Sequence, residues 1–150
     1  MLLPIVVYGH PVLRKIADDI PADFPDLDKF LQDMFQTMDE ADGVGLAAPQ
    51  VGKSIRVFVI DGNAFAETDP ECAGFRKAFI NAHIIERSGE EKEENYEGIK
   101  AWIIQHEYDH LEGILFTDHL SSLKKRLLRN KFNNISLGKF KATYRVILPK

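Results

Sequence analysis

QHEYDHLEG, residues 105–113, is the most informative stretch of this sequence. His106 and His110 are four residues apart, so on a helix their imidazoles lie one turn apart and can reach one metal ion from the same side. Glu107 projects beside that ion, where it could take a proton from bound water and pass it to a leaving group. The segment predicts a hydrolytic metal site, although a helix that holds these residues by chance remains an alternative.

The pattern around the motif is that of a helix from 99 to 111. Ile99, Trp102 and Ile103 recur on the side that carries the two histidines, so both imidazoles are expected to point inward. Gly113 is expected to end the helix.

A catalytic zinc-type site needs a third protein ligand. In the metzincin pattern, Gly113 would match but the third histidine would fall at Phe116, and His119 comes three residues too late. A carboxylate ligand after the helix is improbable, because no Asp or Glu follows Asp118. Cys72 lies in a predicted loop far from the motif and is expected to be a small apolar residue. The fold could still bring His119 near the motif; otherwise a third ligand comes from upstream or is absent.

An amphipathic helix is predicted to begin near Asp26, because apolar residues recur every three or four positions. They are Leu27, Phe30, Leu31, Met34, Phe35 and Met38. Asp26 or Asp28 is expected to cap the first turn, and Gly43 lies just past the end, where a left-handed residue often terminates a helix. The polar residues expected to face water are Asp33, Gln36, Thr37 and Glu40.

The remaining pattern predicts strands and one more helix. Residues 55–60 are rich in β-branched side chains and lie between Gly52 and Gly62, and residues 75–86 contain a second strand. A last helix starts near Ser121 or Ser122, with an apolar side formed by Leu123, Leu127 and Leu128. Residues 144–148 could add a strand.

Composition limits the class of protein. With 150 residues, the chain is long enough for one domain and too short for two well-buried cores. The formal net charge of -4 provides no overall attraction to DNA or to anionic membranes. A single cysteine is typical of a reducing compartment, which favours the cytoplasm. No signal peptide or membrane helix is expected.

Two segments together resemble a known family. GVGLAAPQ, residues 43–50, and QHEYDHLEG resemble the first and third signature motifs of the peptide deformylases, and YGHPVLR, residues 8–14, resembles the usual start of that family. The resemblance implies an α+β fold, with a mostly antiparallel sheet around a central helix that bears the histidines. It also implies removal of the N-formyl group from nascent polypeptides by a metal-bound water. The metal is ferrous iron in many members and zinc or nickel in others.

The resemblance also implies roles for particular residues. His106 and His110 would bind the metal, Glu107 would act as general base and then general acid, and the side-chain amide of Gln50 would donate to the developing oxyanion. Gly43 and Gly45 would let the backbone approach a bound peptide closely. The apolar side chains that could line a methionine pocket, or could equally be core, are Val44, Leu46 and Ile103.

The chain departs from the family at its second motif, Glu-Gly-Cys-Leu-Ser, whose cysteine is the third metal ligand. Here Glu97 and Gly98 are followed by Ile99, which predicts a missing segment between Gly98 and Ile99. Either the sequence lacks residues that the natural polypeptide contains, or the chain is a genuine deletion variant. Two imidazoles alone should hold a metal weakly, and the loss of one oxyanion donor typically lowers turnover by two to three orders of magnitude.

Two other functions remain open. A metalloprotease is disfavoured by Phe116 and by the acid-free C-terminal stretch. A non-catalytic, deformylase-like binding module is the alternative from a different class. Its basic cluster could contact ribosomal RNA or could be an ordinary solvated helix face. The cluster consists of Lys124, Lys125, Arg126, Arg129 and Lys131.

Overall fold

A three-stranded antiparallel sheet is at the centre of the fold. The computed structural model describes residues 1–84, 96–115, 118, 121–138 and 146–148. The strands are β2 (Gly45–Ala47), β3 (Val57–Asp61) and β4 (Arg76–Ile80), in the order β2-β3-β4. The predicted strands at 55–60 and within 75–86 are thus found as β3 and β4, and residues 85 and 86 lie outside the described part. The strand β2 arises in a segment that the sequence pattern described only as unable to continue a helix.

A second, smaller sheet joins the two ends of the described chain. The strand β1 (Ile5–Val6) pairs in parallel with β5 (Val146–Ile147), with Ile5 opposite Val146. This pairing confirms a strand within the tail segment predicted to contain one. Residues 144 and 145 of that prediction are outside the described residues.

The central sheet separates two helices, α1 (Leu27–Glu40) and α2 (Gly98–Leu111). Side chains alternate along a strand, so neighbouring residues enter different layers. Leu46, Val57 and Val59 pack against Met34 and Met38 of α1. The opposite layer contains Ala47, Phe58 and Ile60 packed against Ile103 and Leu111 of α2. The predicted α+β arrangement, with a histidine-bearing helix packed on an antiparallel sheet, is confirmed.

The ends of α1 differ from the prediction. Asp26 has a left-handed backbone with φ of 53° and makes no side-chain cap hydrogen bond. Beyond the helix, the left-handed residue is Asp42, with φ of 57°, rather than Gly43. Gly43 instead donates its backbone N–H to the Met38 carbonyl at 2.9 Å. The helix therefore ends where predicted, but Asp42 makes the turn.

Two polar residues of α1 are buried, which contradicts the prediction that they face water. The Thr37 hydroxyl donates to the Asp33 carbonyl at 2.7 Å and accepts the Leu3 N–H at 2.8 Å. The Asp33 carboxylate accepts from Lys29 at 2.9 Å. The N-terminal segment covers this side of the helix, and only tertiary packing could reveal that. Gln36 and Glu40 are exposed, as predicted.

Gly113 ends α2 as predicted. It has φ of +72°, and the N–H of Ile114 donates to the Asp109 carbonyl at 2.9 Å, which satisfies the last turn. A Cβ at Gly113 would lie 2.5 Å from the Arg14 carbonyl oxygen, so the N-terminal segment passes directly over this end of the helix.

The single helix predicted after Ser121 is divided into two short helices, α3 (Ser122–Leu127) and α4 (Arg129–Ser136). Leu123 and Leu127 are 64% and 73% exposed and Leu128 is half-buried, so the described residues leave most of the expected apolar side exposed. Across the described residues, no helix has the length and apolar character needed to cross a membrane.

Candidate metal and catalytic site

The helix α2 turns a different stripe toward the sheet than the sequence predicted. The buried stripe is Ile103, Glu107 and Leu111, four residues apart from one to the next. His106 and His110 are only partly buried and lie on the flank of that stripe, and Trp102 is 60% exposed. The prediction that both imidazoles point inward with Trp102 is therefore wrong in its rotation. It counted Trp102 as core because the residue is apolar.

The two imidazoles lie close together at the edge of the core. Their ring centres are 5.6 Å apart and the rings are nearly perpendicular, at 86°. Burial and the neighbouring His106 lower the pKa of His110 to about 4. His110 is therefore neutral near pH 7, which is the form of imidazole that binds metal ions.

Glu107 is the most deeply buried charged group of the site, with 4% of its surface exposed. Burial raises its pKa to about 8. Within the described part of the chain, Glu107 Oε2 and His110 Nδ1 are buried without hydrogen-bond partners. Buried polar atoms of this kind normally have a partner such as a protein group, an ion or water. Unpaired atoms on Glu107 and on one of the two imidazoles fit a site that binds an ion and water.

The fit to a metal is incomplete in one respect. No group of three His, Cys, Asp or Glu side chains that could hold an ion occurs among the described residues. Cys72 is fully buried and free, and burial raises the pKa of its thiol. His10 accepts the Val12 N–H within a turn, and His83 contacts Asp19 at 2.7 Å. The site thus offers two nitrogen ligands and an adjacent carboxylate, and His119 lies outside the described residues.

Gly45 brings the first motif into direct contact with Glu107. A Cβ at Gly45 would lie 2.5 Å from Glu107 Oε1 and 2.6 Å from two carbons of the same side chain. Only a residue without a side chain lets the β2 backbone approach the carboxylate this closely. Gly43 is exposed and has no such contact, since its nearest neighbour would be 3.4 Å away.

Gln50 lies in a short 3-10 turn, 48–51, that packs against α2. Its side-chain oxygen accepts the Ala47 N–H at 2.9 Å. Because that bond occupies the oxygen, the amide nitrogen is the end that can donate to a ligand. The geometry is compatible with the predicted role as an oxyanion donor, which stays a prediction.

The three apolar residues suggested for a methionine pocket have different places in the fold. Leu46 is 3% exposed and packs toward α1, on the opposite side of β2 from Glu107. Ile103 is 1% exposed and lies between α2 and the sheet. Val44 is half-buried, and its carbonyl accepts the Asp61 N–H at 2.9 Å. The side chains of Leu46 and Ile103 therefore correspond to the alternative of plain core.

Sequence reasoning placed Trp102 on the side of the histidines but missed Phe65 and Arg56 as neighbours of the site. The Trp102 ring lies 6.0 Å from the His106 ring and 6.3 Å from Phe65. Arg56 is buried near the C-terminal end of α2, where it contacts Tyr108 and Glu112. An arginine directly before a strand of Val, Phe and Ile is unusual enough to have marked the position.

Comparison with known proteins identifies the family. The family model described as polypeptide deformylase matches in two stretches, residues 2–95 and 75–126. Peptide deformylase of Christiangramia forsetii is 43% identical over 190 positions, covering 99% of this chain and 97% of the relative. That of Cytophaga hutchinsonii is 44% identical over 183 positions, covering 99% and 98%.

Solved structures agree with the sequence relatives. A peptide deformylase from Legionella pneumophila superposes with a TM-score of 0.71 at 31% identity, covering 95% of this chain and 100% of the other. One from Plasmodium falciparum gives 0.73 at 30% identity, covering 93% and 97%. These matches confirm the predicted fold and the resemblance on which it was based.

The relatives are longer than this chain. The alignment with the Christiangramia forsetii protein has 190 positions, and this chain has 150 residues, so at least 40 positions hold residues only in the relative. Gly98 and Ile99 are consecutive residues at the start of α2, and the placement of the gap between them stays a prediction. The full-length matches and the shared fold nevertheless show that this chain belongs to the polypeptide deformylase family, a family of metal-dependent hydrolases.

Proposed function

We propose that this chain hydrolyses the formyl amide at the N-terminal methionine of newly made polypeptides, using one divalent metal ion at His106 and His110. The observation that carries the proposal is the position of Glu107. Its buried carboxylate lies between the flank that bears the two imidazoles and the backbone of Gly45. The side chain proposed as proton carrier therefore lies next to the two proposed metal ligands and to the proposed peptide-binding segment.

When bound, the ion supplies a Lewis acid that polarises the formyl carbonyl and acidifies water. Glu107 accepts the proton of the attacking water and delivers it to the departing amine as the C–N bond breaks. The products are formate and a free amino terminus. Burial raises the pKa of Glu107 in the metal-free protein, and this favours the protonated form that acts as donor in the second half of the transfer.

Gln50 donates its amide N–H to the carbonyl oxygen as negative charge develops there. The bond from the Ala47 N–H to the Gln50 oxygen keeps the carboxamide in the orientation that presents the nitrogen. Gly43 and Gly45 admit the backbone of the peptide, and Val44 is the one half-buried apolar side chain of this segment that can contact the methionine.

Fe(II) is the metal we propose, with Zn(II) or Ni(II) as substitutes, because neutral imidazoles bind all three. Two protein ligands hold an ion less firmly than three, so we expect weak retention and reduced turnover. The incomplete ligand set is also what favours the second candidate, a non-catalytic deformylase-like binding module. The intact mass of the natural polypeptide separates a chain that has lost residues from a true deletion, since only the former exceeds 17.0 kDa.

We further propose that the chain acts in the cytoplasm on peptides leaving the ribosome, with α3 and α4 contacting ribosomal RNA. Lys124, Arg126, Arg129 and Lys131 are exposed on these helices. No acidic residue follows Asp118, so the local charge is uniformly positive. Replacing Arg126 and Arg129 by Gln should weaken ribosome binding and reduce its salt dependence, measured by co-sedimentation at two salt concentrations. Unchanged co-sedimentation would leave the solvated helix face as the better explanation.

The central test is formate release from a formyl-methionyl peptide by protein loaded anaerobically with Fe(II). Glu107→Gln should lower kcat by about 10²–10⁴-fold with metal content unchanged, because the proton carrier is lost and the imidazoles remain. His106→Ala should lose the metal. Exposed Glu40, at the end of α1 on the other face of the sheet from α2, provides the control Glu40→Gln, which should behave as wild type.

Formate release that survives Glu107→Gln would contradict the assignment of this residue. Wild-type protein that retains no metal and releases no formate after anaerobic loading would support the binding module instead.

A further inference from the structure

Arg56 joins several segments of the chain inside the protein. It precedes β3 and is almost fully buried. Its Nε and Nη2 donate to the Ala82 carbonyl at 3.0 and 2.9 Å, and Nη1 donates to the Ala17 carbonyl at 3.5 Å. Its backbone N–H donates to the Asp18 carbonyl at 2.8 Å, and its own carbonyl accepts the Asn81 N–H at 2.7 Å. The guanidinium is therefore held in one position by the body of the protein.

The same guanidinium also holds α2. Nη2 donates to Glu112 Oε1 at 2.9 Å, and the Tyr108 hydroxyl donates to the same oxygen at 2.8 Å. The guanidinium carbon lies 5.3 Å from the centre of the Tyr108 ring, and the Ile84 N–H donates to the Tyr108 hydroxyl at 3.2 Å. We call Arg56, Tyr108 and Glu112 the Arg56 clamp.

The clamp and the proposed metal ligands are on opposite flanks of one helix. Successive residues of an α-helix are about 100° apart around its axis. With Glu107 facing the sheet, His106 and His110 lie to one side of it, and Tyr108 and Glu112 lie to the other. Because a helix turns as a unit, a contact that holds one flank also sets the rotation of the other.

We infer that the Arg56 clamp positions the reacting groups, by setting the rotation of α2 so that Glu107 and the two imidazoles face Gly45 and Gln50. With side chains, a helix has a radius of about 5–6 Å, so a rotation of about 10° moves a side-chain end by about 1 Å. A misplacement of that size can lower a rate about 100-fold. The catalytic part of this inference rests on the proposed function, whereas the structural part does not.

A positioning role has consequences that a purely stabilising role lacks. Both imidazoles belong to α2, so rotation of the helix leaves their mutual distance unchanged and should leave metal binding by the pair unchanged. The distances from Glu107 to Gly45 and from the imidazoles to Gln50 do change. A stabilising contact would instead alter only the unfolding transition, while the native protein kept its structure and its rate.

The test compares Tyr108→Phe and Glu112→Gln with the control Arg76→Lys. This control perturbs the ion pairs of Arg76 on β4 with Asp39 on α1 and Asp61 on β3. Two signals of the metal-free native protein are followed by NMR. They are the amide of Gly45, which contacts Glu107, and the indole of Trp102, the single tryptophan of the chain. Metal content, kcat and KM for a formyl-methionyl peptide are measured on the same variants.

We expect Tyr108→Phe to shift both NMR signals and to lower kcat about 10- to 100-fold, with metal content and KM unchanged. Arg76→Lys should shift neither signal and should retain the wild-type kcat. Arg56→Lys keeps the charge, but one ammonium group cannot replace the hydrogen bonds of the guanidinium to Ala82, Ala17 and Glu112. It should therefore cause the same changes as Tyr108→Phe.

The positioning role of the Arg56 clamp is contradicted if Tyr108→Phe and Glu112→Gln leave both NMR signals and kcat at wild-type values and lower only the unfolding temperature. If wild-type protein releases no formate, the proposed function fails on its own. The NMR comparison then still decides whether the clamp sets the rotation of α2, since unshifted signals would overturn it.

Discussion

The two faces of the central sheet are packed in opposite ways. Toward α1, the core is apolar, and its buried polar residues are paired. Thr37, for example, both donates and accepts a hydrogen bond. Toward α2, an equally buried layer contains the Glu107 carboxylate, and atoms of Glu107 and His110 have no partner among the described residues. The first face is optimised for stability, whereas the second retains groups that destabilise the ligand-free protein.

The unpaired polar atoms on the face toward α2 indicate that this face is the functional one, and that the function lowers the stability of the protein. Locally consistent sequences tend to break packing rules only at functional sites. An unpaired buried carboxylate weakens the fold, since its charged form is poorly solvated. Its retention beside two imidazoles is understandable if an ion or substrate completes the site. The comparison can be tested one face at a time.

Among the tests that compare the two faces, the largest effect is expected from Gly45→Ala, at the contact between β2 and Glu107. The added methyl would lie 2.5 Å from Glu107 Oε1, so the strand or the helix must shift. We expect kcat to fall about 100-fold and the free energy of unfolding to fall by about 1–3 kcal/mol. Formate release and urea denaturation measure the two quantities.

Gly43→Ala is the matched control, because its added methyl would meet nothing closer than 3.4 Å. Because Gly43 is itself proposed to admit the bound peptide, the two variants are compared by urea denaturation, in which Gly43→Ala should remain near wild type. Equal losses of unfolding free energy in the two variants would show that the contact with Glu107 is not special.

A smaller effect is expected from pH on the metal-free protein. Folding raises the Glu107 pKa from 4.5 to about 8, so the folded state holds a proton that the unfolded state has lost, and stability falls as pH rises through that window. Folding lowers the His110 pKa from 6.5 to about 4. This group therefore makes the free energy of unfolding rise with pH up to about pH 6.5, and above that pH it adds no further change.

Between pH 6.5 and 8, of these two groups only Glu107 changes the free energy of unfolding with pH. Over this range the free energy of unfolding should fall by up to about 2 kcal/mol, at 1.36 kcal/mol per pKa unit. Glu107→Gln should remove most of this slope, as measured by urea denaturation in the presence of a chelator. An unchanged slope in the variant would assign the pH dependence to another group.

The smallest effect is expected on the other face, from Thr37→Val. The variant loses the acceptor of the Leu3 N–H, at 2.8 Å in the wild type, so the free energy of unfolding should fall by about 1 kcal/mol. Activity should not change, since α1 and α2 pack on opposite faces of the sheet. Thr37→Ser retains the hydroxyl and should be closer to wild type in thermal unfolding. A loss of activity in Thr37→Val would contradict the separation of the two faces.

Much of the site was predictable because its parts are local in sequence. His106, Glu107 and His110 are neighbours on one helix, and their spacing alone brings them together. Gly45 was predicted to allow close approach of a bound peptide, and the structure shows that it also admits the carboxylate of Glu107. The signal for that second contact is absent from the sequence, because it depends on how β2 crosses α2.

The rotation of α2 was predicted wrongly for a similar reason. Trp102 is apolar and shares a side with the histidines, so periodicity assigned it to the core, yet it is 60% exposed. Conversely, Asp33 and Thr37 are polar but are covered by the N-terminal segment. Helical periodicity describes which residues share a side, and the partners available determine which side is buried.

The sequence alone determined the family, the helix that carries the two histidines, and the strands β3 and β4, since motif spacing and hydrophobic periodicity depend only on residues close together in the chain. Tertiary structure decided that Gly45 touches Glu107, that Leu46 and Ile103 are core, and that Arg56 holds the far flank of α2. These contacts join residues far apart in sequence. They follow from the packing of whole elements, which no local pattern encodes.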